Sequence, residues 1–206
     1  MMNESTQNGF GEPAVESRAK RLKAATHATH ERLDSRMMAA DSFASRTAYV
    51  SYLAVQYQFH CEIAALYVDE RLAAIIPDLG RRRRLELIEK DYDDLGHALP
   101  EPAGHVLSPA DRPVALGWLY VAEGSNLGAA FLLKGAAALG LSEAHGARHL
   151  AAAPEGRGLQ WRSFTTALDA VILDAADEKR VIKGAHAAFA RVLELATIHL
   201  NRSHNS

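Results

Sequence analysis

The chain is nearly free of cysteine: Cys61 is the single one in 206 residues. A disulfide framework and a cysteine-built zinc site within one chain are therefore both excluded, and one thiol fits a reducing compartment. No apolar run approaches the roughly 20 residues that a membrane-spanning helix needs. The segment Met1 to Glu16 is polar and lacks the apolar stretch of a signal peptide. Neither sign of charge dominates: 23 Lys and Arg face 25 Asp and Glu, a formal net charge of -2. That balance argues against nucleic acid or a membrane surface as partner. There is no G-x-G-x-x-G dinucleotide fingerprint, no convincing strand alternation and no internal repeat. The expectation is a cytoplasmic protein without a nicotinamide site of its own.

What is present is helical periodicity. The hydrophobic content, 48%, is that of a soluble globular chain. Residues 1–15 read as a disordered tail and 201–206 as a second tail, leaving one domain over 16–200. From Glu16 to Met38, Leu22, Ala25, Leu33 and Met37 suit one helical face. Ser42 is placed to cap a second helix running from about Arg46 to Ile76 and ending before Pro77. Arg81 to Leu95 reads as a polar, exposed helix. Residues 96–112, with their prolines and glycines, read as loop. Pro113 suits the start of a helix from about Val114 to Leu139. A short helix or turn over 142–151 and two helices, about 158–174 and 176–200, complete the chain. The class is all-α, packed in one layered bundle.

Ten histidines direct attention to ligands. His27 and His30 lie one turn apart on the first helix, and Asp34 follows His30 by four residues on the same face. A neutral imidazole is a natural axial ligand for haem iron, and such a ligand needs a partner for its other ring nitrogen. The same pair also suits zinc, or a plain solvated helix face, and the spacing does not choose among them.

The helix from Val114 carries Gly117, Gly124, Gly128 and Gly135. A glycine inside a helix costs about 1 kcal/mol relative to alanine. Gly124 and Gly128 face nearly the same way and leave a bare patch of backbone. Either a second helix or a planar ligand can approach there, and Ser125 beside them favours a kink.

The run Gly117 to Leu132, with Glu123-Gly124-Ser125-Asn126-Leu127-Gly128-Ala129-Ala130-Phe131, resembles the distal helix of bacterial haem oxygenases. His30-Glu31-Arg32-Leu33-Asp34 resembles their proximal segment. Asp94-Leu95-Gly96-His97, Gly146-Ala147-Arg148-His149-Leu150 and Trp161-Arg162-Ser163-Phe164 match in order. The resemblance spans roughly residues 17–195. It implies a single-domain haem-oxygenase-like helical bundle holding haem between a proximal and a kinked distal helix.

By that resemblance His30 is the axial iron ligand, with Asp34 as its partner, directly or through water. Gly124 and Gly128 line the distal face, and Ser125 and Asn126 anchor water that delivers protons. Mammalian relatives have an aspartate where this chain has Ser125. Lys23 and Tyr120 resemble propionate-contacting positions of relatives that cut at the α-meso carbon, and Arg191 is a further propionate candidate. Relatives that cut elsewhere carry Asn and Phe at those two positions, and a lysine where this chain has Gly135. The implied reaction consumes haem, which is both substrate and cofactor, together with O2. It yields α-biliverdin, carbon monoxide and ferrous iron. Electrons come from an external donor such as ferredoxin or flavodoxin with its reductase, and a bilin acceptor is a further candidate partner. The basic run Arg81 to Arg84 reads either as an exposed polar face or as a docking patch for an acidic donor. Two other readings stay open. One is a haem carrier without turnover. The other is a non-haem metal enzyme using His27, His30 and carboxylates such as Glu123.

Overall fold

A computed structural model describes residues 16–200; the two expected tails, 1–15 and 201–206, fall outside the described residues. Among the described residues seven α-helices follow one another: α1 (Arg18–Ala39), α2 (Arg46–Glu62), α3 (Glu70–Ala73), α4 (Leu85–Leu95), α5 (Arg112–Ala138), α6 (Arg157–Ala170) and α7 (Ala175–Leu200). Short 3-10 turns lie at Ala64–Val68, Leu79–Arg82 and Arg148–Leu150. No strand occurs among the described residues, only isolated bridges from Ser142 to His145 and Gly146. No described helix is long and apolar enough to cross a membrane. The expected all-α bundle is what is observed.

Local chemistry sets the helix starts. Ser17 caps α1 by accepting from the Lys20 amide, Ser45 caps α2 through the Ala48 amide, and Asp111 caps α5 through the Val114 amide. The cap of α2 is thus Ser45 and not Ser42, whose hydroxyl is buried without a hydrogen-bond partner. The second helix also stops well short of Ile76. The Glu62 carbonyl accepts the Leu107 amide of the long loop at 2.9 Å, and the chain tightens into the 3-10 turn. A tertiary contact overrides local propensity there. Arg81 to Leu95 is not one exposed helix either. The chain reaches α4 only at Leu85, and Leu85, Ile88 and Tyr92 enter a small cluster with Leu53 and Tyr57. Arg82 and Arg84 are buried, so the basic run is neither an exposed face nor a four-arginine docking patch. The segment 142–151 is bridge, turn and a single 3-10 turn, within the short helix or turn expected there. α5 is one uninterrupted helix.

α7 is the organising element, with α1, α2 and α5 packed along it. Its closest crossing is with α5. A β-carbon built on Gly117 would lie 2.1 Å from the Val181 carbonyl oxygen, and one on Gly184 would lie 2.3 Å from the Val114 carbonyl oxygen. These two glycines meet the opposite backbone reciprocally. Gly117 therefore serves packing.

The amino end of α1 is tied to α6 and α7 by a buried arginine. The Arg18 guanidinium meets Glu178 at 2.7 Å, the Val171 carbonyl at 2.7 Å and the Leu168 carbonyl. Arg18 foremost, with Arg21 beside it, holds the Glu178 carboxyl below its ordinary value of 4.5. A depressed folded-state pKa gives stability that is complete above the unfolded value and lost as pH falls through the folded one. Thermal unfolding is therefore expected to shift to lower temperature below about pH 4.5. Arg18→Met should flatten that part of the profile; an unchanged slope would remove Glu178 as its source.

Candidate functional site

α5 changes character at Gly124. From Ala115 to Glu123 it is buried on every side; from Gly124 to Gly135 only Ala129 is buried. Leu127 and Phe131 stand 44% and 76% exposed. A β-carbon at Gly128 would meet nothing within 4 Å, and one at Gly124 would make ordinary contact with the Trp161 indole at 3.6 Å. The open half of α5 is thus an apolar surface with bare backbone in its middle, which suits a flat apolar ligand.

Just inside that boundary sits a buried ion pair. Glu123 accepts from Arg82 Nη1 at 3.0 Å and from the Tyr67 hydroxyl at 3.0 Å. Burial raises the Glu123 carboxyl while Arg82 and Tyr67 act against that rise. Arg82 also donates to the Gln160 carbonyl at 3.2 Å, next to Trp161. The Trp161 ring packs on Tyr120 at 5.6 Å and stacks on Phe164 at 5.7 Å. Tyr120 is buried, and burial raises its phenol.

On α1, His30 Nδ1 lies 3.0 Å from Asp34 Oδ2, and both side chains are more than half exposed. The Phe189 ring of α7 meets the His30 imidazole edge-on at 5.6 Å. With Nδ1 engaged, Nε2 is the nitrogen left for a ligand. His27 makes a separate and longer contact with Glu31, 3.4 Å. Lys23 is exposed and forms no ion pair among the described residues.

Three further expected site residues have definite local partners. Ser125 donates its hydroxyl to the Ala122 carbonyl at 2.7 Å. The Asn126 carbonyl accepts from Arg157 Nη1 at 3.0 Å. Arg191 grips the buried Glu62 with Nε at 3.0 Å and Nη2 at 2.5 Å, and meets Glu194 at 2.7 Å. Those pairs raise its pKa further. Gly135 faces Phe43, whose ring carbons would lie 2.9 Å from a β-carbon there.

Sequence spacing gave no sign of a second polar cluster. The fully buried Asp91 takes His149 Nδ1 at 2.7 Å and the amides of Arg148 and His149 at 2.7 and 3.1 Å. Arg84 binds the His149 and Ala151 carbonyls. His60 lies within electrostatic reach; burial first, then His149 and Arg84, push its pKa down to about 3. The residues are far apart in the chain, and only the fold assembles them. Among the described residues no three His, Cys, Asp or Glu side chains gather as a metal site. Glu123 is already held by Arg82 and Tyr67, which removes the carboxylate that a non-haem metal reading relied on.

The profile of the family described as Heme oxygenase matches residues 16–197. The protein named heme oxygenase PigA of Pseudomonas aeruginosa is 43% identical over 180 residues, which cover 86% of this chain and 90% of the relative. The heme oxygenase of Neisseria meningitidis, solved with NO and CO bound, superposes with a TM-score of 0.86 at 39% identity. That match covers 90% of this chain and 92% of the other. Heme oxygenase-1 of the cyanobacterium Synechocystis, solved in complex with heme, superposes with a TM-score of 0.73 at 14% identity over 92% and 96% of the two chains, a likeness of fold.

Proposed function

Because the chain belongs to the haem oxygenase family, we propose that it opens haem at the α-meso carbon, with His30 as the axial ligand and α5 from Gly124 as the distal wall. The single observation that carries this reading is the change in α5 at Gly124 from all-round burial to a bare, apolar, open face. A planar macrocycle fits that surface, and the half-exposed His30 offers Nε2 to its iron.

Haem, when bound, supplies both the iron that activates O2 and the ring that is cut. The chain's residues do the rest. His30 provides a neutral nitrogen donor, which gives less electron push than a thiolate. Asp34 accepts the Nδ1 proton and so fixes tautomer and orientation. Gly124 and Gly128 keep side chains off the distal face. Ser125, whose proton is engaged with the Ala122 carbonyl, still has lone pairs to receive a water. Asn126 is the second water anchor, since proton delivery here runs through solvent rather than a distal acid. Lys23 and the Tyr120 hydroxyl hold the propionates and set the rotation of the ring. Arg191 can join them only by sharing its guanidinium with Glu62 and Glu194. The family uses an external reductant; ferredoxin or flavodoxin with its reductase is the proposed donor, in the cytoplasm.

The test is an optical titration with haemin, then reductant, O2 and catalase, with chromatography of the product. A Soret band that decays to α-biliverdin supports the whole reading. A shift to other isomers in the Lys23→Ala, Tyr120→Phe double variant supports the propionate assignment. Another isomer from the native protein overturns the regiochemistry, and a Soret band that persists under turnover marks a carrier.

Gly128→Ala separates packing from function. The new methyl meets no neighbour, and alanine gains up to about 1 kcal/mol in a helix. The haem-free protein should melt at the same or a higher temperature while haem turnover falls. Unchanged turnover would remove Gly128 from the distal wall.

A further inference from the structure

α6 begins with a residue that is poor for a helix start. Arg157 occupies its first position, where the positive end of the helix dipole disfavours a cation. The preceding Gly156 supplies no side-chain cap. The guanidinium instead turns back, donating through Nη1 to the Asn126 carbonyl of α5 at 3.0 Å and through Nη2 to the Leu150 carbonyl of the 3-10 turn. A local choice that weakens α6 is thus used to join the distal helix to the 142–151 segment.

The contact falls at a telling place on α5. One turn earlier, the Ser125 hydroxyl donates to the Ala122 carbonyl. Ala122 and Asn126 are four apart and share a face, roughly opposite Gly124 and Gly128. Extra donors on helix carbonyls draw them outward and lengthen the ladder on that side. Such lengthening would curve the helix away from the donors, with the glycine face on its concave side.

We propose that Arg157 is a positioning residue for the distal helix, holding the Gly124–Gly128 face concave through the Asn126 carbonyl. The role in turnover rests on the reading of that face as the haem wall; the clamp on α5 does not. Because Arg157 is half-buried at the edge of the core, its variants should fold.

The test compares native protein, Arg157→Ala and Arg157→Lys. In the haem-free protein, amide exchange in Arg157→Ala is expected to rise about tenfold over residues 127–134, with α1 and α7 unchanged and melting nearly so. In the haemin complex, the pH dependence of the visible spectrum should shift. Turnover should show kcat lowered about tenfold or more with KM for haem little changed. Lysine, with one donor group and no fork, should restore part of the exchange protection and part of the spectrum. Uniformly faster exchange with a matching fall in melting temperature and an unmoved spectrum would reduce Arg157 to a structural tie. Unchanged local exchange would overturn the proposal outright. If native protein failed to bind haemin while exchange still rose locally, the clamp would stand and the haem reading would fall.

Discussion

His30→Ala should cut haem turnover by at least about a hundredfold, since loss of a mere ligand partner already costs ten- to a hundredfold. The imidazole is held from two sides, by Asp34 at 3.0 Å and by the edge of Phe189 at 5.6 Å. Alanine removes the donor and leaves those walls in place. Haemin should still partition onto the apolar face of α5, so the variant is expected to bind it with a changed Soret band rather than not at all. Free imidazole should enter the space left by the side chain and restore part of the native spectrum. His27→Ala, one turn away and engaged only with Glu31, should leave spectrum and turnover near native. Equal losses in the two variants would mean that His30 is not the ligand.

The second large effect is on folding. Gly184→Ala is expected to leave little folded protein, or to lower the melting temperature by about 10 °C or more. Its β-carbon would stand 2.3 Å from the Val114 carbonyl oxygen and 2.9 Å from the Val114 α-carbon. Nothing there is a flexible side chain that can swing aside; α5 and α7 must separate along their length. Overpacking a core commonly costs about 1–3 kcal/mol, and a clash of backbone on backbone belongs at or beyond that upper end. Gly117→Ala should behave alike from the other side of the crossing. Gly128→Ala is the control, with the same chemical change on the same helix as Gly117 and no neighbour to strike. A Gly184→Ala protein that melts like the native one would show that the crossing relaxes far more easily than these distances allow.

The contrast between those glycines shows where sequence reading reached and where it stopped. The helices of the two motifs were legible because their apolar periodicity, caps and glycines are local. α1 and α5 begin within a few residues of expectation. The glycine run announced close approach but could not say by what, since Gly117 and Gly128 look alike in sequence. One meets a helix and the other meets solvent, and only tertiary placement separates them. The early end of α2 was invisible because it depends on the Leu107 amide, supplied by a loop far along the chain. Arg82 and Arg84 look like surface charge in sequence, since most of their partners, Glu123, Gln160, His149 and Ala151, are remote. Contacts of the candidate site were legible where a side chain acts with its own helix, as His30 does with Asp34. They were not legible where one helix holds another, as Arg157 holds α5.

The central place of α7 also has a consequence for how the protein is made. The N-terminal helix, with His30, packs on α6 and α7, and α5 closes on α7 through reciprocal glycines. These two partners of α1 therefore leave the ribosome long after it. During synthesis α1 and α5 wait without α7, and most helical stability in a folded protein comes from such tertiary packing. Folding is then set by contacts distant in sequence. A chain that stalls before residue 175 carries both motifs and has no α7 to bring them together.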